Sequence, residues 1–167
     1  MKRIYSLLLG IFILSMGLNV NAQETNNEIP NLRLYSSFSY NYPTQGLDNY
    51  KYGFAAYSNF DYYLNDYFTV RLDIGWNDFS GPEKKYTDQN GNIHTDHPNM
   101  SVWEFTAGLR GGAGPFYIEG RGGYFTGVSS WGYVPAVGIV VWKFDIQASY
   151  TFAGEKEWAG IRLGYYF

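Results

Sequence analysis

The sequence has no cysteine among its 167 residues, so it can form neither a disulfide framework nor a thiolate metal site, and it cannot be a lipoprotein. Beyond the N-terminus it also lacks any apolar run of about 18 residues, which excludes a helical membrane protein. The net charge is -3, and this mild acidity argues against a nucleic-acid partner, which would call for a basic stripe.

Aromatic residues, by contrast, are abundant: 17 Tyr, 12 Phe and 5 Trp make up 20% of the chain. The mean hydropathy is nevertheless -0.29, so the chain is aromatic without being hydrophobic overall. The length suits one domain. These properties leave two classes, a secreted β-sandwich or a membrane β-barrel.

The N-terminus has the order of a cleavable signal peptide. Lys2 and Arg3 form a positive n-region, Leu7 to Leu18 form an apolar h-region, and Val20-Asn21-Ala22 places small or permitted residues before a cleavage site. We predict a signal peptide over residues 1–22 and a short periplasmic lead over residues 23–31. Cleavage removes two positive charges and no acid, so the net charge falls from -3 to -5. The alternative is a retained helical anchor.

The remaining chain divides into segments of about ten residues that alternate apolar with polar or small side chains, a length that crosses a bilayer as tilted β-structure. In residues 67–76, for example, Thr69, Arg71 and Asp73 alternate with apolar residues. The predicted strands are 32–40, 52–64, 67–76, 102–110, 116–125, 133–141, 144–152 and 157–167. In a sandwich the apolar face would be the core, whereas in a membrane barrel it would face lipid.

The connections favour the barrel. Three of them are tight and three are longer, a rhythm typical of barrels with short periplasmic turns and longer external loops. The tight connections are 65–66, 111–115 and 142–143, and the longer ones are 41–51, 77–101 and 126–132. The seventh connection, 153–156, departs from this rhythm, since it would be external yet is short. We therefore predict an all-β fold, an eight-stranded antiparallel up-and-down transmembrane β-barrel over residues 32–167 with both termini periplasmic.

Tryptophans fall near the predicted strand ends, as in the interfacial girdles of membrane barrels. Trp76 and Trp103 lie at the outer ends of two strands, and Trp142 lies at a periplasmic turn. In a soluble protein the same tryptophans would normally belong to the core.

The predicted inward face carries five positive and five negative residues. Since an eight-stranded barrel is only wide enough for its own side chains, these charges must pair with one another, which predicts a lumenal salt-bridge network and a plugged barrel. A proton or ion path along these charges is the alternative. The network comprises Arg33, Asp61, Arg71, Asp73, Glu104, Arg110, Glu119, Arg121, Asp145 and Arg162.

The last eight residues carry a family resemblance. Ile161, Leu163, Tyr165 and Phe167 share the outward face of the final strand, and Phe167 ends the chain. This pattern resembles the C-terminal signature of outer-membrane proteins, which the barrel-assembly machinery reads. With the signal peptide and the strand number, the chain resembles the small OmpX/OmpA-like barrels and the related short barrels of Bacteroidota. The resemblance implies the outer membrane of a Gram-negative bacterium, surrounded by outer-membrane lipid.

Reactive groupings occur only in the 77–101 loop. His94, Asp96 and His97, with Asp88 nearby, could ligate a divalent ion, but Asn90-Gly91 is a strong hairpin signal and favours a protruding hairpin of exposed polar residues. The resemblance also includes barrels that modify lipid A with a Ser and a His near the rim, and Ser80 and Ser101 flank the two histidines here.

No motif indicates a cofactor. We therefore expect a non-enzymatic structural or adhesive protein that presents loop 77–101 to an extracellular ligand. A rim-active lipid A-modifying enzyme and a narrow channel are the alternatives.

Overall fold

In the computed structural model, which describes residues 32–88, 91–96 and 98–167, eight long strands close into an antiparallel barrel. Each barrel strand pairs with its neighbour along the chain, and the first strand closes the barrel by pairing with the last. The predicted eight-stranded antiparallel barrel is therefore confirmed. The strands are β1 (Leu32–Gln45), β2 (Gly53–Tyr63), β3 (Phe68–Phe79), β6 (Met100–Ala113), β7 (Phe116–Phe125), β8 (Ser130–Val141), β9 (Phe144–Ala153) and β10 (Lys156–Tyr166).

The two longest connections of the barrel lie at the same end. At one end, here called the turn end, strands are joined by residues 64–67, 114–115 and 142–143, and the C-terminus lies there too. At the other, the loop end, the connections are 46–52, 80–99, 126–129 and 154–155. The predicted signal peptide and periplasmic lead, residues 1–31, lie outside the described residues.

Several strands extend further toward the loop end than the sequence predicted. β1 ends at Gln45 instead of Tyr40, β3 continues to Phe79, and β8 begins at Ser130. The predicted loops 41–51, 77–101 and 126–132 are therefore longer than the connections in the structure. The reason is that the alternation of inward and outward side chains continues past these points, with Phe79 fully buried.

A small hairpin lies within the longest connection. β4 (Lys84–Thr87) and β5 (Ile93–Asp96) form a two-stranded sheet of their own, as the hairpin interpretation predicted. Gly91 has a positive φ of 84°, a conformation that glycine adopts without steric cost. The backbone N–H of Asn92 donates to Asp88 Oδ1 at 2.9 Å, and this hydrogen bond stabilises the turn. Within the described part of the chain, no helix is long and apolar enough to cross a membrane.

Candidate functional site

The barrel interior is filled by side chains, and its composition changes along the barrel axis. Charged residues and tyrosines occupy the half near the turn end and the middle, whereas apolar residues occupy the loop end. Nine of the ten residues predicted to form the lumenal network, all except Arg33, are buried here and form ion pairs.

Near the turn end, two arginines share three carboxylates. Arg71 Nε lies 2.7 Å from Asp61 Oδ1, and its two Nη atoms lie 3.0 Å from Glu119 Oε2 and 3.3 Å from Asp145 Oδ2. Arg110 contacts the same Glu119 oxygen at 2.9 Å and the same Asp145 oxygen at 2.8 Å. These ion pairs, most of which are also charge-assisted hydrogen bonds, compensate for the loss of hydration inside the barrel.

Tyrosine hydroxyls donate further hydrogen bonds to two of these carboxylates, Asp61 and Asp145. Tyr166 donates to Asp61 Oδ2 at 3.0 Å, and Tyr35 donates to Asp145 Oδ2 at 3.2 Å. Tyr117 also donates to Asp145. Each tyrosine thus fills lumenal volume with its ring and satisfies a buried acceptor with its hydroxyl.

A second group of charges lies closer to the loop end. Asp73 accepts hydrogen bonds from Arg121 and, at 2.7 Å, from Arg162 Nη1. Arg121 Nε lies 2.8 Å from Glu119 Oε1, so this group is continuous with the first. Glu104 lies 3.7 Å from Arg121 Nη1 and accepts a hydrogen bond from the Tyr57 hydroxyl at 3.1 Å.

Arg33 differs from the other predicted members. It is half-buried at the turn end, and its guanidinium lies 5.1 Å from the centroid of the Tyr63 ring. Its partner in the strand register, Asp61, is already bound at both carboxylate oxygens by Arg71. Among the described residues Arg33 forms no ion pair.

The loop end of the lumen is apolar, a feature that the sequence analysis did not predict. Trp158 packs edge-on against Phe79 and Phe125, with ring centroids 5.3 and 5.7 Å apart. Leu47, carried by connection 46–52, completes the cluster from above. The full apolar plug comprises Leu47, Phe79, Val102, Phe125, Val134, Ala153 and Trp158. The alternation of inward and outward side chains could have predicted these inward positions, since Phe79 follows the inward Asn77 by two positions and Trp158 precedes the inward Gly160 by two.

Inward glycines provide the space that the large lumenal side chains occupy. A Cβ atom on Gly75 would overlap the ring of Tyr57, and one on Gly138 would overlap the Tyr117 hydroxyl. The fold therefore requires glycine at these positions.

The outer wall carries an apolar belt bounded by aromatic residues at both ends. Leu72, Ile118 and Leu163 are among the exposed apolar side chains of the belt. Trp131 at the loop end and Trp142 at the turn end are 76% and 77% exposed. Trp76 and Trp103 face each other across β3 and β6, but each lies three residues inside its strand instead of at the predicted outer end, because both strands extend further toward the loop end.

The predicted C-terminal signal residues also lie on the outer wall. Ile161 and Leu163 are exposed, and the Tyr165 ring contacts Phe144 and Phe167 at centroid distances of 5.4 and 5.5 Å. These three rings form part of the aromatic boundary at the turn end.

The candidate reactive groups of the long connection are only partly described. Ser101 donates its hydroxyl to Asp78 Oδ1 at 2.8 Å, and Asn99 donates to Asp78 Oδ2 at 3.0 Å. Ser80 donates its backbone N–H to the Tyr52 carbonyl at 2.8 Å. The metal-site hypothesis falls on His97 and on the side chains of His94 and Asp96, which lie outside the described residues.

Comparison with known proteins identifies the fold. No protein-family model and no curated protein matches the sequence. Ail, the attachment invasion locus protein of Yersinia pestis, is similar in structure with a TM-score of 0.51 at 16% identity, over 81% of this chain and 97% of that chain. A second Ail structure, in complex with the heparin analogue sucrose octasulfate, gives a TM-score of 0.52 at 15% identity over the same shares.

A structure from the de novo design of transmembrane β-barrels gives a TM-score of 0.52 at 13% identity, over 84% of this chain and 98% of that chain. Because the fold is shared at such low identity, the likeness concerns architecture. The chain has the fold of small transmembrane β-barrels.

Proposed function

We propose that this chain is a small outer-membrane barrel of a Gram-negative bacterium, of the OmpX/OmpA-like and Bacteroidota type, which presents its external loops to partners outside the cell. The observation that carries the proposal is the filled lumen, together with an exposed hairpin in the longest connection at the loop end. Buried ion pairs and the apolar plug occupy the interior, so the exposed connections of the loop end remain for interaction.

The spacing of the aromatic boundaries supports a membrane position. Trp131 and Trp142 stand at opposite ends of β8, eleven residue steps apart. At about 3.3 Å per residue and a tilt of about 35–45°, this separation projects to about 26–30 Å along the barrel axis. That span is close to the apolar band of about 25 Å in outer-membrane barrels.

An adhesive role agrees with the name of Ail, an attachment invasion protein, but the ligand chemistry differs. The loop end of this chain carries seven acidic residues and four lysines, a net charge of -3. A sulfated sugar such as the heparin analogue bound to Ail would be repelled, so the proposed extracellular ligand is not a polyanion. The acidic residues are Asp48, Asp78, Glu83, Asp88, Asp96, Glu155 and Glu157, and the lysines are Lys51, Lys84, Lys85 and Lys156.

Location and orientation are tested with single cysteines, which the cysteine-free chain makes unambiguous. A membrane-impermeant maleimide applied to whole cells should label Thr95→Cys in the hairpin and spare Asp66→Cys at the turn end. Labelling of Asp66→Cys alone would reverse the proposed orientation. Labelling of neither in intact cells, but of both after lysis, would contradict the surface location.

The adhesive role is tested by removing the hairpin. Cells that display the barrel with residues 83–97 replaced by a short Gly-Ser linker should adhere less to immobilised extracellular-matrix proteins than cells displaying the intact chain at equal surface level. Equal adhesion would contradict the role of the hairpin. Mass spectrometry of lipid A from cells with and without the protein tests the enzyme alternative, and planar-bilayer conductance tests the channel alternative.

A further inference from the structure

A depression of about 490 Å³ lies on the outer wall of the barrel, where β3, β6 and β7 run side by side. It is lined on its sides by Leu72, Ile74, Phe105 and Trp131, and its floor is formed by Ala107 and Gly122. Its volume falls within the range of about 300–1,000 Å³ that is typical of small-molecule sites.

The strand register explains the shape of this depression. Leu72, Ala107 and Gly122 lie opposite one another on three successive strands, so one large side chain is followed by two small ones. One level closer to the loop end, Phe105 lies opposite Tyr124, and Tyr124 lies opposite Trp131. The small residues of the floor therefore lie next to a row of larger aromatic side chains on the loop-end side. In this row the rings of Tyr124 and Trp131 meet edge-on with centroids 5.7 Å apart.

The small floor is not a requirement of the barrel. A Cβ atom on Gly122 would meet only the carbonyl oxygen of Gly132, at 3.7 Å, which is an ordinary contact. This contrasts with inward glycines such as Gly75, where a Cβ atom would overlap a lumenal side chain. The fold therefore tolerates a larger residue at position 122. The glycine at this position leaves the depression open on the apolar outer wall of the barrel.

We propose that this depression binds one acyl chain of a bilayer lipid from the leaflet nearest the loop end. The inference rests on the proposed membrane location, because the depression is continuous with the apolar belt that would contact lipid. Its walls are apolar, and Trp131 lies at the loop-end boundary, where an indole can bury its ring beside the chain and direct its N–H toward a headgroup. A flexible hydrocarbon chain fits a depression whose outward-facing side chains are all apolar.

The test is native mass spectrometry of the whole barrel, released from nanodiscs of dimyristoylphosphatidylcholine, with three variants. The intact chain should retain one lipid, and Gly122→Leu, which fills the floor, should weaken retention roughly tenfold. Gly120→Leu is the matched control, since Gly120 is an outward glycine of the same strand with no atom within 4 Å of its Cβ position, and it does not line the depression. Trp131→Ala should weaken retention without filling the floor.

Equal retention in the intact chain and in Gly122→Leu and Trp131→Ala, or equal loss in Gly122→Leu and Gly120→Leu, would overturn the proposal. A lipid-free dimer that Gly122→Leu dissociates would overturn it in favour of a second copy of the chain. If Gly122→Leu fails to fold, lipid retention by Trp131→Ala tests the proposal instead, and retention equal to that of the intact chain would overturn it. A barrel that inserts into nanodiscs but retains no lipid overturns this inference alone, whereas a chain that does not insert overturns the proposed function as well.

Discussion

Arg71 and Asp61 lie directly opposite each other on β3 and β2 and form a two-point ion pair, with Nε 2.7 Å from Oδ1 and Nη2 2.9 Å from Oδ2. Both side chains are completely buried. In an eight-stranded barrel the interior has room for side chains alone, so each charge depends on its partner in place of water.

Removing one member of this pair should be costly. Arg71→Met should lower the free energy of unfolding by about 3–5 kcal/mol, because Asp61 would keep a buried charge without its arginine. Urea denaturation in detergent micelles measures this change. The double variant Asp61→Leu/Arg71→Met should recover part of the loss, since a buried ion pair exchanged for apolar side chains is often neutral. A double variant with a lower free energy of unfolding than Arg71→Met alone would contradict this account.

Two glycines that face opposite sides of the wall should respond differently to the same substitution. Gly75→Ala should destabilise the barrel by about 1–3 kcal/mol, because its methyl group would overlap the Tyr57 ring. Gly120→Ala should stay within about 0.5 kcal/mol, since it points into open space. Unfolding midpoints of the two variants in the same detergent provide the comparison. Equal midpoints would mean that Tyr57 does not occupy the space above Gly75.

The apolar plug should make a large contribution to stability. Trp158→Ala should cost about 3–5 kcal/mol, because it opens a cavity between Phe79 and Phe125. Ile93→Ala serves as the control and should change the unfolding free energy by no more than about 0.5 kcal/mol, since Ile93 is exposed in the hairpin outside the barrel. Thermal unfolding in micelles measures both, and a milder effect at Trp158 than at Ile93 would refute the plug.

The mature protein should begin near Gln23. Charge, apolar run and Val-Asn-Ala order together fit a signal peptidase site, and residues 1–22 would be lost on export. N-terminal sequencing of the membrane-inserted form checks this. A sequence beginning at Met1 or inside the h-region would favour the retained anchor.

Deleting Phe167 should reduce assembly in cells more than it weakens the folded barrel. Phe167 follows the end of β10 and contacts Tyr165 at a centroid distance of 5.5 Å, so its loss removes little packing. By the family resemblance it completes the signal for the assembly machinery. Outer-membrane levels in cells are compared with refolding yield in micelles. Normal membrane levels of the truncated chain would contradict the assembly role.

Much of the fold could be predicted from the sequence because its pattern is local. A residue and its neighbour two positions along share one face of a strand, so the alternation around Arg71 and Asp73 by itself indicates which side chains point inward. The strand number and the tight turn at 142–143 follow from the same periodicity and from short breaks in it. The ends of β1, β3 and β8 were misplaced, since near the loop end the polarity of the two faces changes: in β3 the apolar Phe79 faces the lumen and the polar Asp78 faces outward.

The pairing inside the lumen was decided by the tertiary structure alone. The sequence indicated that charges of both signs face inward, but not that Arg71 takes both oxygens of Asp61 and leaves Arg33 beside Tyr63. Which charges meet depends on the strand register and on how far each side chain reaches across the barrel. The same holds for Trp158, whose burial against Phe79 and Phe125 requires three strands that are distant in sequence to converge at the loop end. Periodicity sets the face of each residue, whereas its neighbours across the lumen are set only when the barrel closes.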